Sequence, residues 1–148
     1  MVISFFVFNQ FITAQTVNPD YDSTLAQKLG ADDYGMKSYV FVILKTGNNT
    51  TTDKAFVDSC FAGHMANINR LVNEGKLIVA GPFGKNNNAY RGIFILNVKN
   101  IEEAQELVQT DPAINSKLLD ADLYNWYGSA ALPEYLEAAL KIGKYKIN

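Results

Sequence analysis

One cysteine, one histidine and four prolines in 148 residues leave few routes to specialised chemistry, and 13 basic against 15 acidic side chains give a formal charge of only −2. A single cysteine excludes an intrachain disulfide, so the fold must hold by packing. Cys60 and His64 stand four residues apart on one segment and cannot supply a three- or four-ligand zinc site without several carboxylates, so no metal is assigned. Without a basic excess the chain lacks the electrostatic footprint that a phosphate backbone selects, and nucleic acid is set aside as a partner. The three lysines of Lys141-Ile142-Gly143-Lys144-Tyr145-Lys146 read as a solvated end. No apolar run reaches the roughly 20 residues of a membrane-spanning helix. What remains is 48% hydrophobic and 12% aromatic, enough for one domain with a core.

Residues 1–14 differ from the rest: they carry no charged side chain, are mostly apolar, and end at Ala14-Gln15, a junction that suits signal peptidase. They are read as a signal peptide, which places the protein in the periplasm. The alternative is a buried strand over residues 2–8 and a cytoplasmic chain.

Residues 15–36 form a polar lead-in with one short helix at Ser23–Leu29. A domain over 37–128 follows. Its first strand is the β-branched and aromatic run 39–44, and Asp53 caps a helix that runs to Glu74 and stops at Gly75. Strands at 77–80 and 93–96 make a hairpin with the polar tip Asn86-Asn87-Asn88. Asn100 and Glu103 resemble a capping box for a helix with the stripe Ile101, Ala104, Leu107 and Val108, closed at Pro112. A fourth strand covers 123–127, and Pro133 opens a helical extension within 129–148, with Tyr135, Leu136 and Leu140 on its apolar side.

The order strand, helix, strand, strand, helix, strand predicts an α+β, ferredoxin-like βαββαβ protomer, an antiparallel sheet with two helices on one face. The first strand is apolar at both parities, with Val40, Val42 and Leu44 on one side and Tyr39, Phe41 and Ile43 on the other. Helices on one face leave the second face bare. A second sheet packed against it predicts a homodimer.

His64 stands at four-residue intervals with Phe56, Cys60, Ile68 and Val72, which puts the imidazole on the core-facing stripe of its helix. Periodicity alone reads it as a satisfied core histidine; the alternative is a general acid or base. Cys60, one turn away, is read as a small core residue rather than a nucleophile. Gly63 interrupts the helix at a cost of about 1 kcal/mol relative to alanine, tolerable where something must come close.

Gly63-His64, then Leu71-x-x-x-Gly75-Lys76-Leu77-x-x-Ala80-Gly81-Pro82, then Glu103-Ala104 and Asp111-Pro112, in this order over about residues 37–128, resemble the YCII-related family of the dimeric α+β barrel superfamily. The resemblance implies a dimer through the sheet faces and a pocket in which His64 is paired with Asp111, with no cofactor. Relatives in the wider superfamily include muconolactone isomerases and chlorinated hydroxyquinol dehydrochlorinases, which shuttle protons on small cyclic compounds. Read without the family, Asp111 is a turn residue before proline, and Gly81-Pro82 is a strand-to-loop turn first and a pocket wall second. Arg91 either meets an anionic ligand or is an exposed arginine. Tyr39, Tyr90, Tyr124, Trp126 and Tyr127 either line a pocket, Trp126 being the chosen binding residue, or pack the sheet.

The expectation is an isomerase or lyase acting on a small molecule, with His64 as acid–base and Asp111 as its orienter, and Gly81, Pro82, Arg91 and Trp126 around the ligand. The alternative is a non-catalytic small-ligand-binding dimer on the same scaffold. An enzyme requires that His64 and Asp111 converge with open space beside them.

Overall fold

The computed structural model describes residues 16–144. The signal-peptide expectation for 1–14 falls outside them. Among the described residues no helix is long and apolar enough to cross a membrane.

After the lead-in helix α1 (Ser23–Leu29), capped by Asp22 and ended by Gly30 at φ 71°, the chain alternates as expected. It runs β1 (Met36–Thr46), α2 (Lys54–Asn73), β2 (Leu77–Pro82), β3 (Tyr90–Leu96), α3 (Ile101–Gln109), α4 (Pro112–Asn115) and β4 (Leu119–Ser129). The sheet order is β2-β3-β1-β4, and every neighbouring pair is antiparallel. This is the α+β arrangement that the element order predicts.

α2, α3 and α4 lie on one face. Leu71, Ala104, Val108, Ala113 and Ile114 from the helices close over Val40, Val42, Leu44, Leu77, Phe94 and Leu96 of the sheet. Each Val, Leu, Ile or Phe among them contributes about 1.5–3 kcal/mol when fully buried, so this layer is the main source of stability.

Several boundaries differ from the sequence expectation for physical reasons. β4 begins at Leu119 although Asp120 and Asp122 are poor strand formers. Lys45, opposite Asp120 in the register, reaches diagonally to Asp122 with Nζ–Oδ1 at 2.7 Å. Gly81 and Pro82 end β2 rather than forming a turn beyond it; β2 is a sheet edge, where a missing backbone N–H is tolerated. The capping box is half realised. Asn100 Oδ1 accepts from Glu103 N at 2.9 Å, but the Glu103 carboxylate pairs with Lys76 at 2.7 Å. The Lys76 ammonium holds the Glu103 carboxyl below the ordinary carboxylate range. Pro112 does not close α3, which ends at Gln109; it is the first residue of α4, where its fixed φ suits a helix start.

The second sheet face carries Tyr39, Ile78 and Ile95, all buried. Part of the cover comes from within the chain. A 3-10 turn (Leu132–Glu134) leads into α5 (Tyr135–Ile142), and Leu132 and Leu136 pack on that cluster while the Tyr135 hydroxyl donates to the Ile78 carbonyl. The C-terminal extension thus covers part of the face that the sequence reading leaves bare to a second sheet. The extension leaves Tyr124 50% and Trp126 37% exposed on this face of β4.

Candidate functional site

Asp53 starts α2 by accepting from Phe56 N at 3.1 Å, and the helix packs its apolar stripe on the sheet. Steps of four residues overshoot a 3.6-residue turn by about 40° each, so a strict i+4 series drifts off the core. Phe56 at the start of the predicted stripe is accordingly 41% exposed. The residues that face inward alternate steps of three and four, and include Cys60, Asn67 and Leu71 with Phe61, Ile68 and Val72. Cys60 is buried and lies outside the cavity described below, in keeping with a core residue.

His64 sits in the middle of this face. Its Nδ1 is 2.6 Å from Asp111 Oδ2, although 47 residues separate the two. The imidazole is 12% exposed and the carboxylate 0%, so the ring is the wall and Asp111 the support behind it. Asp111 is also the N-cap of α4, with Oδ1 accepting from Ala113 N at 2.9 Å and Ile114 N at 3.4 Å. The turn reading and the family-implied role are thus both present in one side chain, one oxygen for each. In the neutral ring form, an Nδ1–H that donates to the carboxylate leaves Nε2 as the acceptor nitrogen.

The approach of α4 to α2 explains Gly63. A Cβ on Gly63 would lie 2.7 Å from Pro112 Cγ, too near for the rigid pyrrolidine ring, so glycine lets Asp111-Pro112 come close enough to touch the next residue, His64. A second brace carries no signal in the sequence. Arg70 Nη2 donates to Asn67 Oδ1 at 2.7 Å and to Thr110 Oγ1 at 2.9 Å, tying α2 to the residue before Asp111. Asn67 is 7% exposed, with Nδ2 buried and unpartnered among the described residues. Nothing in the periodicity marks it, because an asparagine on an inward face is indistinguishable from its exposed neighbours Asn69 and Asn73 until Thr110 is placed beside it.

Phe94 stacks on His64 with centroids 5.9 Å apart, and Phe61 meets the ring edge-on at 6.2 Å. Beside them opens a mostly apolar cavity of about 470 Å³ between α2, the ends of β1 and β2, and the starts of β3 and β4. His64, Gly81, Pro82 and Arg91 all line it. Trp126 does not. It is opposite Tyr39 in the β1–β4 register, 5.5 Å from that ring, on the sheet face away from His64. The alternation of side chains along β4 makes this unavoidable once Leu123 faces the helices. Trp126 is therefore removed from the set around the cavity. Tyr39 is likewise sheet packing, with its hydroxyl donating to Ser129 O at 2.8 Å. Tyr127 bonds Asp32, and Tyr90 packs with Phe83.

Among the described residues no cluster of side chains could hold a metal ion. The arrangement can take a proton on Nε2 from a molecule in the cavity and hold the resulting imidazolium against the Asp111 carboxylate.

No curated protein matches the chain. A solved structure similar to it is 5-chloro-2-hydroxyhydroquinone dehydrochlorinase from Burkholderia phenoliruptrix, in complex with 2,5-dihydroxybenzoquinone. That likeness has 20% identity and a TM-score of 0.43, and covers 59% of this chain and 92% of the other. Residues 39–126, which contain His64, Asp111 and nearly the whole sheet, match the family model of the YCII-related domain, and the chain belongs to that family.

Proposed function

We propose that the protein is a small-molecule enzyme of the isomerase or lyase type. His64 is its general base and acid, and Asp111 is the positioning residue that fixes the ring. The observation that carries this reading is the 2.6 Å His64–Asp111 contact, with the carboxylate wholly buried and the imidazole opening onto an apolar cavity. A substrate with an acidic C–H or O–H beside Nε2 loses that proton to the ring. Returning it to another substrate atom is an isomerisation; departure of a leaving group with its electron pair makes the reaction an elimination. In both cases Asp111 steadies the imidazolium while it exists.

The test is turnover. Purified protein is screened against lactones and halogenated hydroxyquinols, with His64→Ala as control, following product formation and halide release. Turnover in the wild type that is lost in His64→Ala supports the enzyme, whereas saturable binding without turnover supports the non-catalytic binding module.

Dimerisation belongs to the same proposal. The aromatic strip that the C-terminal extension leaves open, Tyr124 and Trp126 on β4, is continuous with the apolar face of β1 and offers a second copy an apolar seat. Light scattering at micromolar concentration should give twice the chain mass. A clean monomer would mean that α5 takes the place of the partner sheet.

A further inference from the structure

Arg91 lies where the regular alternation of β3 fails. Leu44 is opposite Gly92 and Lys45 opposite Tyr90, so Arg91 is the extra residue of a β-bulge. Without the bulge, strand parity would turn Arg91 to the face of Ile95, away from the helices. With it, Arg91 joins Gly92 at the wall of the His64 cavity, while its carbonyl accepts from Phe83 N at 2.8 Å and keeps the edge strand attached. Bulges near a site commonly re-aim a side chain, and here the residue at the bulge is an exposed arginine that borders both the His64 cavity and the neighbouring hollow beside Pro82, Phe83 and Tyr90. It makes no ion pair among the described residues, although six other cationic side chains pair with carboxylates there. Of the described residues lining the cavity, His64 and Asn69 are the other polar ones, and no carboxylate is among them.

We infer that Arg91 is the specificity-determining residue of this cavity, and that its ligands are small apolar or aromatic molecules bearing one anionic group, which the guanidinium binds. The inference rests on the reading of the cavity as the ligand site, and adds the substrate class to it. An aromatic ring fits the apolar walls beside Phe94 and Phe61. A carboxylate or other oxyanion takes the charge-assisted hydrogen bonds that the planar guanidinium offers. A cationic ligand would meet like charge and no counter-ion.

The chain's one histidine makes the test direct, since a single imidazole gives one set of ring signals to follow by NMR. Tag-free wild type, Arg91→Ala and Arg91→Lys are titrated with 1-naphthoate and its neutral isostere 1-naphthamide. Naphthoate should bind the wild type more tightly than naphthamide and shift the His64 signals. Arg91→Ala should weaken naphthoate by about tenfold or more and leave naphthamide unchanged. Arg91→Lys should recover part of the loss. Equal affinity for the two probes, equal weakening of both by Arg91→Ala, or no naphthoate binding at millimolar concentration overturns the inference. Failure of the enzyme reading looks different: naphthoate then binds through Arg91 while the turnover screen stays blank. A neutral substrate turned over in a His64-dependent way, with no preference for anions, leaves the enzyme and removes the Arg91 role.

Discussion

Asp111→Asn should lower turnover nearly as far as His64→Ala, each by about 10²- to 10⁴-fold, and the double variant should be no worse than His64→Ala alone. The asparagine is nearly isosteric. Its oxygen can still accept from the amides of Ala113 and Ile114, as Asp111 Oδ1 does now, so α4 keeps its cap. Its amide nitrogen then faces His64 Nδ1 and donates to it, which moves the imidazole proton to Nε2. The nitrogen at the cavity becomes a donor and cannot take a proton from substrate. Folding is spared while the chemistry is lost, and that separates a positioning role from a structural one. Steady-state kinetics on the substrate found by the screen would check it. Wild-type activity in Asp111→Asn would show that the pair is packing.

Asp111→Ala should instead destabilise the fold by about 1.5–5 kcal/mol. Losing the N-cap costs about 0.5–2 kcal/mol, and leaving the buried His64 Nδ1–H without its acceptor costs about 1–3 more. A domain of this size shifts its melting temperature by roughly 2–4 °C per kcal/mol, so a decrease of about 3–20 °C is expected. Thermal denaturation followed by circular dichroism reads it directly. Asp111→Asn, measured alongside, should lose much less. Equal losses in the two would mean that the carboxylate charge, and not the acceptor geometry at Oδ1, holds α4 in place.

The fold was legible because its signals are local. The aromatic and β-branched run of β1, the caps Asp53 and Asn100, and Gly75 at φ 68° each mark an element from within a few residues. The half of β4 carrying Asp120 and Asp122 was not, since its strand character depends on Lys45 across the sheet. His64 was visible as a polar ring on an inward stripe. Asp111 was not visible from its neighbours, where an aspartate before proline reads as a turn; only the family resemblance paired it with His64. The reason is physical. One oxygen makes the local cap that sequence can suggest, and the other makes a contact across 47 residues that only the packing of α4 on Gly63 creates. Trp126 went astray through the same limit, because an aromatic residue near the end of a strand declares its face only when the register is known. Arg91 could be placed in the cavity only through a one-residue slip between β1 and β3 that leaves no mark in the composition.

The most direct test of the His64–Asp111 unit is the nitrogen-15 NMR spectrum of the single imidazole in the neutral ring form, recorded for the wild type and for Asp111→Asn. The wild type should show a protonated Nδ1 and an unprotonated Nε2, with the assignment reversed in Asp111→Asn. An Nε2–H tautomer in the wild type, or a tautomer unchanged by Asp111→Asn, would contradict it.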